Sequence, residues 1–122
     1  MKFLCLAYEA EEIFHGMSAS DWQALRHETL DYVVSLRERG HLIDARPLLS
    51  ATKARTVRMR AGKHSVTDGP FAETKEQLGG YFLIEARDLD EAVEIAAAWP
   101  SARLGTIEVR PIEEGLRVEA RY

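Results

Sequence analysis

Residues 2–8 (KFLCLAY) are apolar almost without interruption, with Phe3, Cys5 and Ala7 on one side and Leu4, Leu6 and Tyr8 on the other. That pattern predicts a strand buried on both faces. Residues 9–19 are polar, contain Gly16 and read as a loop. From Ser20 the period changes. Trp22, Leu25, Thr29, Tyr32, Val33 and Leu36 recur at helical spacing, predicting a helix over 21–39 with that stripe buried. Ser20 and Gln23 stand in capping-box positions, and Arg37, Arg39 and Gly40 supply the cations and glycine of a helix end.

Residues 41–49 read as a second strand, limited by Pro47. The alternating run 55–60 (RTVRMR), the turn-like 61–63 and the run 65–67 predict a hairpin. Asp68, Gly69 and Pro70 signal a turn, and Gly79 and Gly80 a bend into the next strand, 81–86 (YFLIEA), again apolar on both faces. Asp88 and Glu91 form a second capping box, opening a helix over 89–99 with Leu89, Ala92, Val93, Ala96 and Ala97 as its buried stripe, ended by Pro100. Residues 105–112 predict the last strand.

The order is thus β-α-β, an inserted hairpin, then β-α-β. Right-handed crossovers place both helices on one face of a four-stranded antiparallel sheet, the split-βαβ or ferredoxin-like form of an α+β fold. Its first and third core strands are central, and these are the two runs that are apolar on both faces. Two helices cover only one face of such a sheet. The other, carrying large apolar side chains, predicts a homodimer formed sheet against sheet.

Composition narrows the function classes. The 122 residues suit a single domain spanning 1–122, and 46% hydrophobic content is enough for one core. A net charge of −4 disfavours nucleic acid as a partner. Lys53, Arg55, Arg58, Arg60 and Lys63 make a basic stripe that reads as a solvated hairpin face. Cys5, the lone cysteine, reads as a small buried hydrophobe. No signal-peptide pattern and no run long enough to span a bilayer is visible, so a cytoplasmic location and no membrane partner are expected. His15, His27, His41 and His64 lack metal-ligand spacing, and neither a metal nor a cofactor is expected.

Among groups that could carry chemistry, Asp68 stands first. Held between a hairpin arm and a Gly-Pro turn, it fits either a general base, if burial raises its pKa, or an Asx-type turn cap. Glu73, Lys75 and Glu76 fit either a set of charges around a small polar ligand or a solvated turn. Tyr8 fits a cleft lining or core packing. Arg110 fits an anion contact or a cross-strand pair with Glu108.

The stretch 66–86, VTDGPFAETKEQLGGYFLIEA, resembles the signature of the YCII-related, DGPF-type family, with Asp68, Gly69, Pro70 and Phe71 as the four name-giving letters. The opening strand, the hairpin and the tail IEVRPI extend the resemblance over about residues 2–112. The resemblance implies a dimeric α/β-barrel fold but little about function; the charged Asp68, Lys75 and Glu76 beside Phe71 and Tyr81 favour a protein that binds or transforms a small polar molecule without a cofactor. It also leaves open a non-catalytic regulatory partner in a sigma-factor-linked stress response. Shorter YCII proteins carry a His–Asp pair, the His within the first helix and the Asp just before the glycine that ends it. The matching positions here fall near Ala24 and Glu38, with His27 one turn out of place, so the pair is not clearly retained.

Overall fold

A computed structural model describes residues 1–115. The elements run β1 (Lys2–Glu9), α1 (Glu11–His15), α2 (Ala19–Glu38), β2 (Leu42–Pro47), β3 (Arg55–Arg60), β4 (Lys63–Asp68), β5 (Gln77–Glu85), α3 (Leu89–Ala97) and β6 (Thr106–Pro111). Short 3₁₀ turns stand at Ala51–Lys53 and Pro100–Arg103. The main sheet is antiparallel with the order β2-β5-β1-β6, so the two strands that are apolar on both faces are its centre. This is the ferredoxin-like α+β arrangement that the hydrophobic pattern predicts.

Register assigns the two faces. Phe3 pairs with Ile84, and Cys5 with Phe82 and Val109. These side chains join Leu36 of α2 and Ala92, Ile95 and Ala96 of α3 in the core. The opposite face carries Leu4 against Leu83, and Leu6 against Tyr81. It is edged by Asp44 and Arg46 on β2 and by Glu108 and Arg110 on β6. Phe82 stacks on Trp99 with ring centroids 3.9 Å apart, and Tyr32 meets Trp99 edge-on. The Tyr32 hydroxyl donates to the Ile95 carbonyl at 2.7 Å, tying α2 to α3.

Several expectations are corrected. The polar run 9–19 contains the short helix α1, and α2 is capped by Ser18, whose hydroxyl accepts from the Asp21 N–H at 3.1 Å. Ser20, the expected cap, lies inside the helix, because an equivalent hydroxyl two residues earlier already occupies the capping position. The α3 stripe is Ala92, Ile95 and Ala96, while Leu89, Val93 and Ala97 face outward. Asp88 does cap α3, accepting from Glu91 N–H at 2.9 Å. The fifth strand starts at Gln77, not at residue 81, so Gly79 and Gly80 lie within it.

The hairpin β3–β4 forms its own two-stranded sheet and pairs with no strand of the main one. Ala61 and Gly62 both adopt positive φ (52° and 76°), the two-residue turn whose twist suits a hairpin. Register puts Val57 opposite Val66 and Met59 opposite His64 on one side, with Arg58, Arg60 and Lys63 on the other. The ribbon is therefore amphipathic.

Candidate functional site

Helix α2 contacts the core through its C-terminal half, where Leu36 is fully buried. Its N-terminal half stands off the sheet. Trp22, Leu25 and Thr29, which read in the sequence as core stripe, instead line a cleft of about 340 Å³ between α2 and the β2–β5–β1 side of the sheet, while Val33 borders it and packs against the core as expected. Phe82 and Trp99 continue the lining, as do Phe14, Gly79 and Gly80. Among the described residues, Glu9 is the only acidic one lining this cleft. Its placement follows from strand periodicity, since residue 9 continues the helix-facing series Phe3, Cys5, Ala7.

Glu9 and its neighbour Glu11 occupy contrasting environments. The Glu11 carboxylate accepts from Ala51 N–H at 2.9 Å and from the Ser50 hydroxyl at 3.1 Å. The Glu9 carboxylate has no hydrogen bond or ion pair among the described residues. Burial, and secondarily the charge of Glu11, hold the Glu9 carboxyl above its ordinary value. A half-buried carboxyl of raised pKa in an apolar cleft suits proton exchange. Arg26 and Arg37 of α2 also line the cleft, which Arg46 of β2 borders while its side chain belongs to the opposite sheet face. Arg26 lies over the Trp22 ring at 5.8 Å, and Arg46 pairs with Asp44 at 3.2 Å.

The residues singled out from sequence lie elsewhere. Asp68, the last residue of β4, is 86% exposed and pairs with Arg55 at 3.0 Å. Tyr8 and Glu76 line a second, broader cleft of about 870 Å³ at the base of the ribbon, with Leu48, Leu49 and Phe71. Glu76 there accepts from the Thr106 hydroxyl at 2.8 Å. Glu73 and Lys75 are exposed and line neither cleft. Arg110 lies on the open sheet face and pairs with Glu108, two residues earlier on its own strand, at 3.3 Å, rather than across strands. His27 and Glu38 are exposed on α2, with His27 3.9 Å from Asp31. The structure brings Tyr8 and Glu76 together and leaves the rest apart.

Cys5 lies under the helices, and burial pushes its thiol up to about 12, which removes it as a nucleophile. Among the described residues, no three His, Cys, Asp or Glu side chains are grouped to hold a metal ion. No described helix is long and apolar enough to cross a membrane.

Comparisons with known proteins place this architecture. A family model for the YCII-related domain matches residues 1–115. An uncharacterized protein of Rhizobium meliloti is 36% identical over 114 residues, covering 92% of each chain. Among solved structures, 5-chloro-2-hydroxyhydroquinone dehydrochlorinase from Burkholderia phenoliruptrix, in complex with 2,5-dihydroxybenzoquinone, is similar in fold. Its TM-score is 0.54 at 18% identity, over 94% of this chain and 96% of that one. A model match over the whole described length, together with a relative of this identity, makes the chain a member of the YCII-related domain family.

Proposed function

We propose that this protein binds a small polar molecule in the cleft under α2 and exchanges a proton with it through Glu9, without a cofactor. The observation that carries the reading is the half-buried Glu9 carboxylate, without a hydrogen bond or ion pair among the described residues, in a cleft that Trp22, Phe82 and Trp99 also line. As a carboxylate it accepts a proton from a weakly acidic O–H or C–H, leaving the ligand with one more negative charge. Arg26 and Arg37 line the same space and favour that charge. As a carboxylic acid Glu9 returns the proton. The apolar lining takes a flat ring or short chain, and the dehydrochlorinase of similar fold holds a dihydroxybenzoquinone.

Isothermal titration of 2,5-dihydroxybenzoquinone in buffers of different ionisation enthalpy tests this reading. This quinone is a vinylogous acid and enters as an anion near neutral pH, so its charge beside Glu9 draws a proton from the buffer onto the carboxyl, and the heat of binding depends on the buffer. The dependence is expected in the wild type and absent in Glu9→Gln. Wild-type binding with no proton linkage, or linkage undiminished in Glu9→Gln, contradicts it.

The open sheet face supports a homodimer. Leu4, Leu6, Tyr81 and Leu83 sit between two edges that each carry an acid and a base, Asp44 with Arg46 and Glu108 with Arg110. A two-fold copy sets each mixed edge against another mixed edge while covering the apolar centre. Light scattering at twice the chain mass is expected, and a persistent monomer at high concentration contradicts it.

A further inference from the structure

Gly79 is left unexplained by the fold. Its φ is not positive, unlike that of Gly40, Gly62, Gly69 and Gly115, so backbone conformation does not require a glycine there. Between β1 and β5 the register runs Ala7↔Gly80 and then Tyr8↔Leu78. Gly79 is the extra residue of a β-bulge, a device that re-aims neighbouring side chains. Its carbonyl accepts from Leu48 N–H at 2.8 Å, which pins the bulge to the segment after β2. A methyl group added at Gly79 would collide with one side chain, that of Glu9, through its Oε1, Cδ and Cγ atoms. The neighbouring glycine serves another purpose. A methyl at Gly80 would press on the Arg46 carbonyl at 3.0 Å, so that residue allows close approach of β2.

We propose that Gly79 is a positioning residue for Glu9: the bulge and the missing side chain form the seat on which the Glu9 carboxylate lies inside the cleft. The inference rests on the reading of Glu9 as the working group of that cleft. The colliding atoms belong mostly to the far end of a flexible side chain. An alanine at 79 is therefore accommodated by swinging Glu9 away rather than by moving the strands. The charged groups around that position are Glu11 after β1 and Arg26 and Arg37 on α2. Glu9, displaced from the cleft, loses the burial that raises its pKa.

Carbon-13 NMR titration of the Glu9 side-chain carboxyl in Gly79→Ala, alongside its thermal unfolding, tests the proposal. The expected result is a melting temperature near that of the wild type and a titration midpoint moved down toward the ordinary glutamate range. A folded Gly79→Ala whose Glu9 titrates as in the wild type overturns it. Where Gly79→Ala fails to fold, the double variant Glu9→Asp/Gly79→Ala should fold, because the shorter side chain clears the methyl. A double variant that also fails to fold overturns the proposal. The seat and the ligand reading fail separately. If Glu9→Gln keeps the wild-type proton linkage while Gly79→Ala still shifts the Glu9 titration, the seat stands and the ligand reading falls.

Discussion

Phe82 and Tyr81 are adjacent on one strand yet point into different worlds, and truncating each in turn measures that difference. The Phe82 side chain is 1% exposed, stacks on Trp99 and contributes to the floor of the cleft. An aromatic side chain of this size buries roughly 150–250 Å². At about 25 cal/mol per Å², burying its ring contributes on the order of 4–6 kcal/mol. Phe82→Ala retains the Cβ but leaves a cavity and removes the stacking, so a loss of about 3–5 kcal/mol is expected. That is a large share of the roughly 5–15 kcal/mol that holds most domains together. Phe82→Leu, which keeps most of the volume, should cost much less. Tyr81 lies on the open face, half-buried, with its hydroxyl donating to Asp44 at 3.3 Å. Tyr81→Ala should cost on the order of 1 kcal/mol in the isolated chain. In a sheet-to-sheet dimer its cost should grow with protein concentration. Urea unfolding of both variants, followed by circular dichroism at two concentrations tenfold apart, gives these values. Equal losses for the two positions at low concentration would refute the assignment of the sheet faces.

Three further outcomes follow from the same contacts. Glu9 is held above its unfolded pKa, so its contribution favours the fold in acid, below the unfolded value, and is lost as pH rises through the folded value. Glu9→Gln should therefore melt higher than the wild type at neutral pH, with the gap closing below about pH 4, as differential scanning calorimetry across pH can show. Leu4→Arg places a charge at the centre of the open face, beside Leu83 and Arg110, and should turn a dimer into monomer on size-exclusion chromatography with light scattering. Asp68→Asn and Asp68→Ala remove an exposed pair with Arg55 and should each change stability by less than about 1 kcal/mol in urea unfolding.

The sheet was readable from sequence because its central strands advertise themselves. Runs as apolar as Phe3 through Leu6, or Tyr81 through Ile84, belong in the middle of a sheet rather than at its edge, and both runs proved central. The Asp88–Glu91 box was readable because it is local. The face of α3 was not, since Leu89, Val93 and Ala97 fit helical spacing as well as Ala92, Ile95 and Ala96 do. Which set turns inward depends on how closely the helix approaches the sheet, and the small alanines allow the closer approach.

Glu9 escaped the sequence reading for a non-local reason. It stands in the polar run Glu9, Ala10, Glu11, Glu12, which suggests solvent. Its burial is set by a bulge seventy residues away in the chain and by a helix that stands off the sheet. One signal did exist, in that the alternation Phe3, Cys5, Ala7 puts residue 9 on the inward face. The Gly79–Gly80 pair was a second, read as a bend but found inside a strand. Asp68 drew attention because Gly-Pro turns hold carboxylates rigidly, yet rigidity without burial leaves it in water beside Arg55.

Both tryptophans of the chain, Trp22 and Trp99, line the cleft beneath α2, and neither lines the cleft at the base of the ribbon. Their two indole N–H signals in a nitrogen-15 NMR spectrum therefore report directly on which cleft a ligand enters. On titration with 2,5-dihydroxybenzoquinone, both indole signals and the amides of Gly79 and Gly80 are predicted to shift in a saturable manner, and the shifts to weaken in Glu9→Gln. Saturable shifts confined to the amides of Lys53, Val57 and Phe71, with the indoles unmoved, would contradict the assignment of the site.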